Sequence, residues 1–465
     1  MTKLEKTSNH NKVQKEIETL SQKKRKEMSS MERMRLLQLK LYHKAKQETN
    51  YKFYILYDKI FQDYILEEAY KRVKSKNGSP GIDKQTFSDV ERYGRKKFLS
   101  ELKEELRTRT YKPQPVKRKW IEKANGGERP LGIPTIKDRV AQCACKMVIE
   151  PIFEADFDDS SHGFRPKRSA KNAVKEIREN LRKGKTMVYD ADLSKYFDTI
   201  PHDKLIIALK QRIADPRVID LIKQWLKVPI VEQDGKHTGG KKSNQGTPQG
   251  GVISPLLANV YMNLLDRIVN KVEGRFSKYG IKMIRYADDF ILMGKNIGQD
   301  ILDDIHKLLD RMGLTINATK SKLVKATQEA FDFLGFSFRY DSSIFKKGTK
   351  FWNIIPRPKS QQKIRQKLNA KLKSISHFPA HKVVAELNPI IRGWINYYKI
   401  EKVSYTQVAL KKLEDYLRSR LLRFYNRKSQ RKSSLYGQQA FDLLIKEYGL
   451  IKPYKTSGRR PANAI

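Results

Sequence analysis

Cysteine is almost absent. The 465 residues hold only Cys143 and Cys145, too few for a disulfide framework and, by themselves, too few to close a zinc site. They read as two small buried side chains on a helix. No apolar run reaches about 18 residues, which excludes a membrane-spanning helix. The N-terminal segment has no apolar core of the kind a secretory signal needs, and Glu5, Glu16 and Glu18 argue against an acid-poor transit peptide. A reducing interior is the expected compartment, the bacterial cytoplasm or nucleoid first and an organelle second. No internal repeat is visible.

Negative charge is outnumbered rather than missing. Asp and Glu total 51 against 96 Lys and Arg, a formal net charge of +45. Between Ser342 and Ala385 there is no acid at all. Such a field draws polyanions. Nucleic acid is the commonest partner for this profile, and an anionic membrane surface is the plainer rival. The hydrophobic share of 39% is ample for a core, and the length suits about three domains or one multi-lobed one.

Residues 1–50 are polar and basic, a segment expected to be partly helical or mobile. Its "KKRK" (23–26) has the composition of a nuclear address, though a solvated helix face is the simpler reading. "DRVAQCACKMVIEPIFE" (138–154) predicts a helix stopped by Pro151, and "TMVYDADL" (186–193) a strand. "PHDKLIIALKQRI" (201–213) spaces Leu205, Leu209 and Ile213 as one helical face behind Pro201. In "SPLLANVYMNLLDRIVNKV" (254–272), Ser254 is placed to cap, Pro255 suits the first turn, and Leu257, Val260, Leu264 and Ile268 line a face. "KSQQKIRQKLNAKLKSI" puts Ile364, Leu368 and Leu372 on one face and Lys363, Arg365, Lys367 and Lys371 around the rest. That amphipathic basic helix, in acid-free surroundings, predicts a surface turned toward a polyanion. Trp394, Tyr397 and Tyr398, at helical spacing, read as core first and base-stacking second.

The chemistry centres on "KMIRYADDFILMG" (282–294), where Asp288 and Asp289 interrupt an apolar run. Burying an unpaired carboxylate costs several kcal/mol, roughly, and a neighbour of like charge adds repulsion. A hairpin tip is where the two can point outward together, held by the apolar strands Met283–Arg285 and Phe290–Met293. Such pairs are usually solvated turn residues. Asp192, at the end of the 186–193 strand, alters that reading. One strand acid and two hairpin acids on adjacent strands suit two hard Mg²⁺ ions about 4 Å apart. Asp190 and Asp198 lie near enough to support the site without being assigned as ligands.

"YADD" (286–289), preceded by "DLSKYFD" (192–198) and "QGTPQGGVISPLLANVYMN" (245–263), resembles the reverse transcriptases, and more closely the group II intron-encoded reverse transcriptase/maturases. "GERPLGIPTIKDRVAQ" (127–142), "EPIFEADFDDSSHGFRPKRSA" (150–170), "GLTINATKSKLV" (313–324), "FDFLGFSF" (331–338) and "LNPIIRGWINYY" (387–398) are similar to further blocks of that family, in order, over roughly residues 70–425.

The resemblance implies an α+β right-hand polymerase. Fingers would occupy 51–185, a palm with an antiparallel sheet 186–340 with some fingers elements interleaved, and a basic helical thumb or maturase domain 341–465. It implies Asp192, Asp288 and Asp289 as metal ligands, assisted by the Leu193 carbonyl, with Mg²⁺ as cofactor and Mn²⁺ as substitute. It places Phe197 as a bulky gate against a 2′-hydroxyl. Lys123 and Arg129 would hold the incoming triphosphate, Gln249 would lie beside the nucleotide, and Lys320 near the pyrophosphate. Implied partners are an RNA template with a DNA primer, dNTPs, the parent group II intron RNA and target DNA, with no membrane. Oligomeric state stays open. Many relatives carry a C-terminal endonuclease with cysteine pairs. With no Cys after Cys145 and no His after His381, no such domain is expected, and an existing nick, a fork primer or single-stranded target would start synthesis. Two rivals share this pattern: a splicing-only RNA-binding maturase and a polymerase recruited by a host for antiviral defence or CRISPR-linked spacer acquisition.

Charge alone generates one test. Affinity for an RNA/DNA duplex should fall steeply and log-linearly with salt, as released counterions require. Binding isotherms from about 50 to 200 mM salt measure the slope, and a flat dependence would mean that the positive face is not the binding face.

Overall fold

A computed structural model describes residues 14–23, 27–122, 127–240, 242–343, 346–426, 435–436 and 439–454. Lys123, most of the "KKRK" segment and the C-terminal tail from 455 lie outside the described residues. The chain forms two compact units, one of Met1–Ser169, Ala191–Leu292 and Ile297–Lys322, the other of Ala170–Asp190, Met293–Asn296 and Leu323–Ile465. Helices and largely antiparallel sheets make up both, an α+β composition.

In the first unit the apolar helix Ile136–Glu154 is the spine; Cys143 and Cys145 are both buried in it. Burial pushes the Cys143 thiol up to about 11 and the Cys145 thiol higher still, so neither is a nucleophile at neutral pH. Thr135 caps this helix by accepting from the Asp138 amide. The helix does not stop at Pro151 as expected but runs through it to Glu154. A proline removes the amide that would bond four residues back. The carbonyl so released belongs to Met147, and the Gln38 side chain donates to it at 2.9 Å. Gln38 lies on Ser30–Gln47, which buries Met34, Leu39, Leu41 and Ala45, so the second half of the N-terminal arm is an ordered, packed helix.

Strands β1 (Val116–Glu122) and β2 (Glu128–Ile133) form an antiparallel hairpin. β3 is Met187–Ala191; β4 (Pro229–Val231) and β5 (His237–Gly239) extend the first sheet in the order β2-β1-β4-β5. β6 (Lys282–Tyr286), β7 (Asp289–Gly294) and β8 (Lys322–Lys325) join β3 in a sheet of order β6-β7-β3-β8. The helix His202–Lys210 follows Pro201, with Leu205, Leu209 and Ile213 fully buried as the spacing predicted. In the helix Ser254–Val269 two details differ. Ser254 is already inside the helix and its hydroxyl donates to the Pro248 carbonyl at 2.9 Å, so it caps nothing. Ile268 is exposed, because Leu257, Tyr261, Leu265 and Val269 carry the buried stripe instead.

Among the described residues the second unit holds the helix Ala170–Arg182, the antiparallel sheet of β9 (Phe331–Phe333), β10 (Phe336–Ser342) and β11 (Lys350–Pro356), and four later helices. Ile364, Leu368 and Leu372 of Pro358–Ser374 pack with Val383, Leu387 and Ile391 of Ala380–Tyr398 and Leu413, Leu417 and Leu421 of Gln407–Asn426. Trp394 packs on that core and Tyr398 is buried, whereas Tyr397 stays partly exposed. Among the described residues no helix is long and apolar enough to cross a membrane.

Gln38→Leu should cost about 1–3 kcal/mol by stranding the buried Met147 carbonyl. Denaturant unfolding measures it, and an unchanged midpoint would show that this side chain does not sustain the helix through Pro151.

Candidate active site

The acids sit at strand ends. β6 and β7 meet at Ala287 and Asp288, and Ala287 adopts a left-handed φ of 60°. A residue with a Cβ pays about 1–2 kcal/mol there, so the turn must be held. Arg285 does this. It lies in β6, the strand expected to fix the tip, and is almost fully buried. Its Nε donates to both Asp266 carboxylate oxygens at 2.8 and 3.0 Å, and its Nη1 to the Asn259 side-chain oxygen at 2.9 Å and to the Ala287 carbonyl at 2.7 Å. The segment 160–163 lies alongside: Arg285 N–H donates to the Ser160 carbonyl and His162 N–H to the Arg285 carbonyl, both at 2.9 Å. Gly163 must be glycine, since a Cβ there would stand 2.2 Å from the Ala287 nitrogen.

This framing separates the paired acids. Their burial is unequal: Asp289 is exposed and Asp288 half-buried. Burial raises the Asp288 pKa and the Asp192 charge raises it further, while its own backbone amide, Arg129 and Arg285 lower it. Asp288 and Asp192 therefore feel each other directly, as neighbouring ends of β7 and β3 should.

Asp192 follows β3 and is clamped by the loop 315–321. Its N–H donates to Ser321 Oγ at 3.0 Å, and its carbonyl accepts from Asn317 N–H at 2.7 Å. Leu193, buried, bridges to Ile316, and Ser194 N–H donates to the Thr315 carbonyl at 2.8 Å. Lys320 Nζ donates to Asp192 Oδ2 at 3.1 Å. Among the described residues no three His, Cys, Asp or Glu side chains form a group that by itself could hold a metal ion. The donor set nonetheless suits a hard cation. It is all oxygen, two of its carboxylates repel each other, and among the described residues the cation in direct contact with Asp192 is a lysine that leaves Oδ1 outside that hydrogen bond.

Phe197, in the short helix Tyr196–Thr199, is half-buried beside Tyr196, with ring centroids 5.5 Å apart. Gln249 Nε2 donates to both oxygens of Asp198 at 3.0 and 2.9 Å, so Asp198 orients the glutamine. Thr247 N–H donates to the Phe197 carbonyl at 2.7 Å and Gly246 N–H to that of Ile200 at 2.8 Å. Arg129 is exposed on β2, opposite Ile121. Asp192, Leu193, Phe197, Gln249, Asp288, Asp289, Lys320 and Arg129 thus all belong to the first unit. Lys363 and Lys367 are exposed and Arg365 half-buried in the second, while Lys371 Nζ donates to Glu386 at 2.8 Å. Sequence reasoning missed Arg285, Asn259 and Gly163. The available signal was a guanidinium set inside an apolar strand.

Residues 121–338 match the model of the reverse transcriptases (RNA-dependent DNA polymerase), and residues 361–440 match the maturase-specific domain of group II introns. Protein YkfC of Escherichia coli K12 is 35% identical over 271 residues, 51% of this chain and 70% of that one. The group II intron-encoded protein LtrA of Lactococcus lactis subsp. cremoris is 29% identical over 428 residues, 74% of this chain and 70% of that one. The chain belongs to the group II intron-encoded reverse transcriptase/maturases. An uncharacterized 91 kDa protein in the cob intron of Schizosaccharomyces pombe is 28% identical over 430 residues, and the chain spans only 52% of its length. Within this reverse transcriptase/maturase family assignment, the polymerase match encloses every acid of the site and the maturase match the basic helix Pro358–Ser374 from its second turn onward.

Arg285→Met should cost about 3–5 kcal/mol by leaving Asp266 buried and unpaired. Adding Asp266→Leu should restore much of that stability but not polymerase activity, because the Ala287 carbonyl keeps no donor. Unfolding and primer extension on the same variants measure the two effects, and recovered activity in the double variant would show that the turn holds itself.

Proposed function

We propose that the first unit polymerises DNA on an RNA template as the palm and fingers of a right-hand polymerase, with the basic helices of the second unit as its thumb. The observation that carries this reading is the pairing of β3 with β7 in one sheet, with Asp192 directly after the first and Asp288 and Asp289 at the start of the second, inside the segment that matches the reverse transcriptases. Asp192, Asp288 and Asp289, with the Leu193 carbonyl, would hold two Mg²⁺, or Mn²⁺ in their place. Bound there, such ions acidify a primer 3′-hydroxyl and neutralise the departing pyrophosphate.

The protein's own groups do the rest. Arg129, together with Lys123, binds the polyphosphate of the dNTP from the fingers hairpin, a task suited to fixed cations. The Phe197 ring fills the volume a 2′-hydroxyl would need and offers it no hydrogen bond. Asp198 holds Gln249 in one orientation beside the nucleotide. Lys320, paired with Asp192, would give a proton to the leaving pyrophosphate. Lys363, Arg365 and Lys367 surround a buried aliphatic stripe and grip duplex phosphates without reading sequence. The same cationic surfaces would bind the intron RNA during splicing and the target DNA during mobility. The proposed workplace is the bacterial cytoplasm.

Primer extension with Mg²⁺ on an RNA template tests the assignment. Replacing Asp288 and Asp289 together by Asn should lower the rate by at least about 10²-fold, the scale of losing one preorganised electrostatic contact, with RNA affinity largely kept. Full activity in that variant would overturn the reading.

A further inference from the structure

Phe164 combines three features that rarely coincide. It is a bulky side chain with a left-handed φ of 56°, it is 50% exposed, and it is held on a rigid strap. A residue with a Cβ pays about 1–2 kcal/mol for that backbone conformation, and strain of this kind persists only where surrounding contacts impose it. Here they do. The Gly163 carbonyl accepts from Asn259 Nδ2 at 2.8 Å, and Gly163 itself lies against the Ala287 turn. On the other side, Arg165 donates to the Glu154 carboxylate at 2.7–3.1 Å and to the Ser161 carbonyl at 2.7 Å. A ring left half in water gains less from burial than a core aromatic would to offset the strain, which points to another use for the position.

Its ring meets Phe197 edge to face, centroids 6.4 Å apart at 74°, within the favourable range for aromatic pairs. Tyr196 supplies a second ring against Phe197 at 66°, and it is anchored in the core by its hydroxyl, which donates to the Ala258 carbonyl at 2.7 Å. Phe197 thus has one fixed aromatic neighbour from its own helical turn and another from the strap that also braces the acidic turn.

We propose that Phe164 is a positioning residue for sugar selection: it holds the Phe197 ring in the orientation that excludes a ribonucleotide. This rests on the reading of Phe197 as the gate. A gate discriminates only if it does not swing aside, and a half-buried phenyl with one neighbour has room to do so. Strain at Phe164 is then the cost of presenting a ring to Phe197 from the element that fixes Ala287, so that gate and acids keep one geometry.

The readout is the ratio of kcat/KM for a dNTP to that for the matching rNTP, a ratio that cancels differences in active fraction between preparations. Phe164→Gly removes the ring and suits the left-handed backbone, so it should leave the unfolding midpoint unchanged or raised while lowering the ratio roughly two- to tenfold, the scale of an aromatic pair. Phe164→Tyr, which keeps the ring, should retain the ratio. Phe197→Ala should lower it further, and adding Phe164→Gly to Phe197→Ala should change it little. If Phe197→Ala lowers the ratio and Phe164→Gly does not, the positioning role is overturned and the gate stands. If Phe164→Gly acts equally in the Phe197→Ala background, its effect does not pass through Phe197 and the proposal fails. If Phe197→Ala leaves the ratio unchanged, the gate fails and the proposal with it.

Discussion

Arg285 and Asp266 hold each other where neither would be stable alone. Both are almost wholly out of water, and a lone buried charge costs several kcal/mol, roughly. Their pairing does more than cancel charge. A guanidinium carries five donors in a fixed fork, and after Asp266 takes its share, Nη1 reaches the Asn259 oxygen and the Ala287 carbonyl. A hydrophobic replacement would fill the space without reaching that carbonyl. The left-handed Ala287 is bonded to this arrangement through its carbonyl, and Gly163 is seated against the same turn.

The site's electrostatics run against those of the molecule. A chain of net charge +45 gathers polyanions, while its reacting centre concentrates acids. Asp288 keeps a raised pKa because burial and the charge of Asp192 outweigh Arg129, Arg285 and its own amide. Lys320 partly answers Asp192, and the loop 315–321 fixes the backbone on both sides of it. A cationic surface that draws in nucleic acid and a small anionic centre that suits hard cations are complementary parts of one design, since the nucleic acid and the metal carry opposite charge.

The periodic elements were largely legible beforehand. Alternating and 3.6-residue patterns located β3, the β6–β7 hairpin, His202–Lys210 and Pro358–Ser374. Expectations failed where a group outside the element supplied a competing hydrogen bond. Pro151 does not end its helix because Gln38, more than a hundred residues away, supplies the missing donor. Ser254 does not cap because the preceding turn offers the Pro248 carbonyl to its hydroxyl.

Local sequence by itself determined which segments are strands and helices, that two acids stand at a hairpin turn, and that the surface is overwhelmingly cationic, because propensity, periodicity and charge act within a few residues. Only the tertiary structure decided that Asp192 lies within electrostatic reach of Asp288, that Lys320 reaches Asp192, that Asp198 orients Gln249, and that a strained Phe164 meets Phe197. Those relations join residues far apart along the chain. They arise from buried charges and unsatisfied carbonyls finding partners wherever the packed core brings them, which no local pattern encodes.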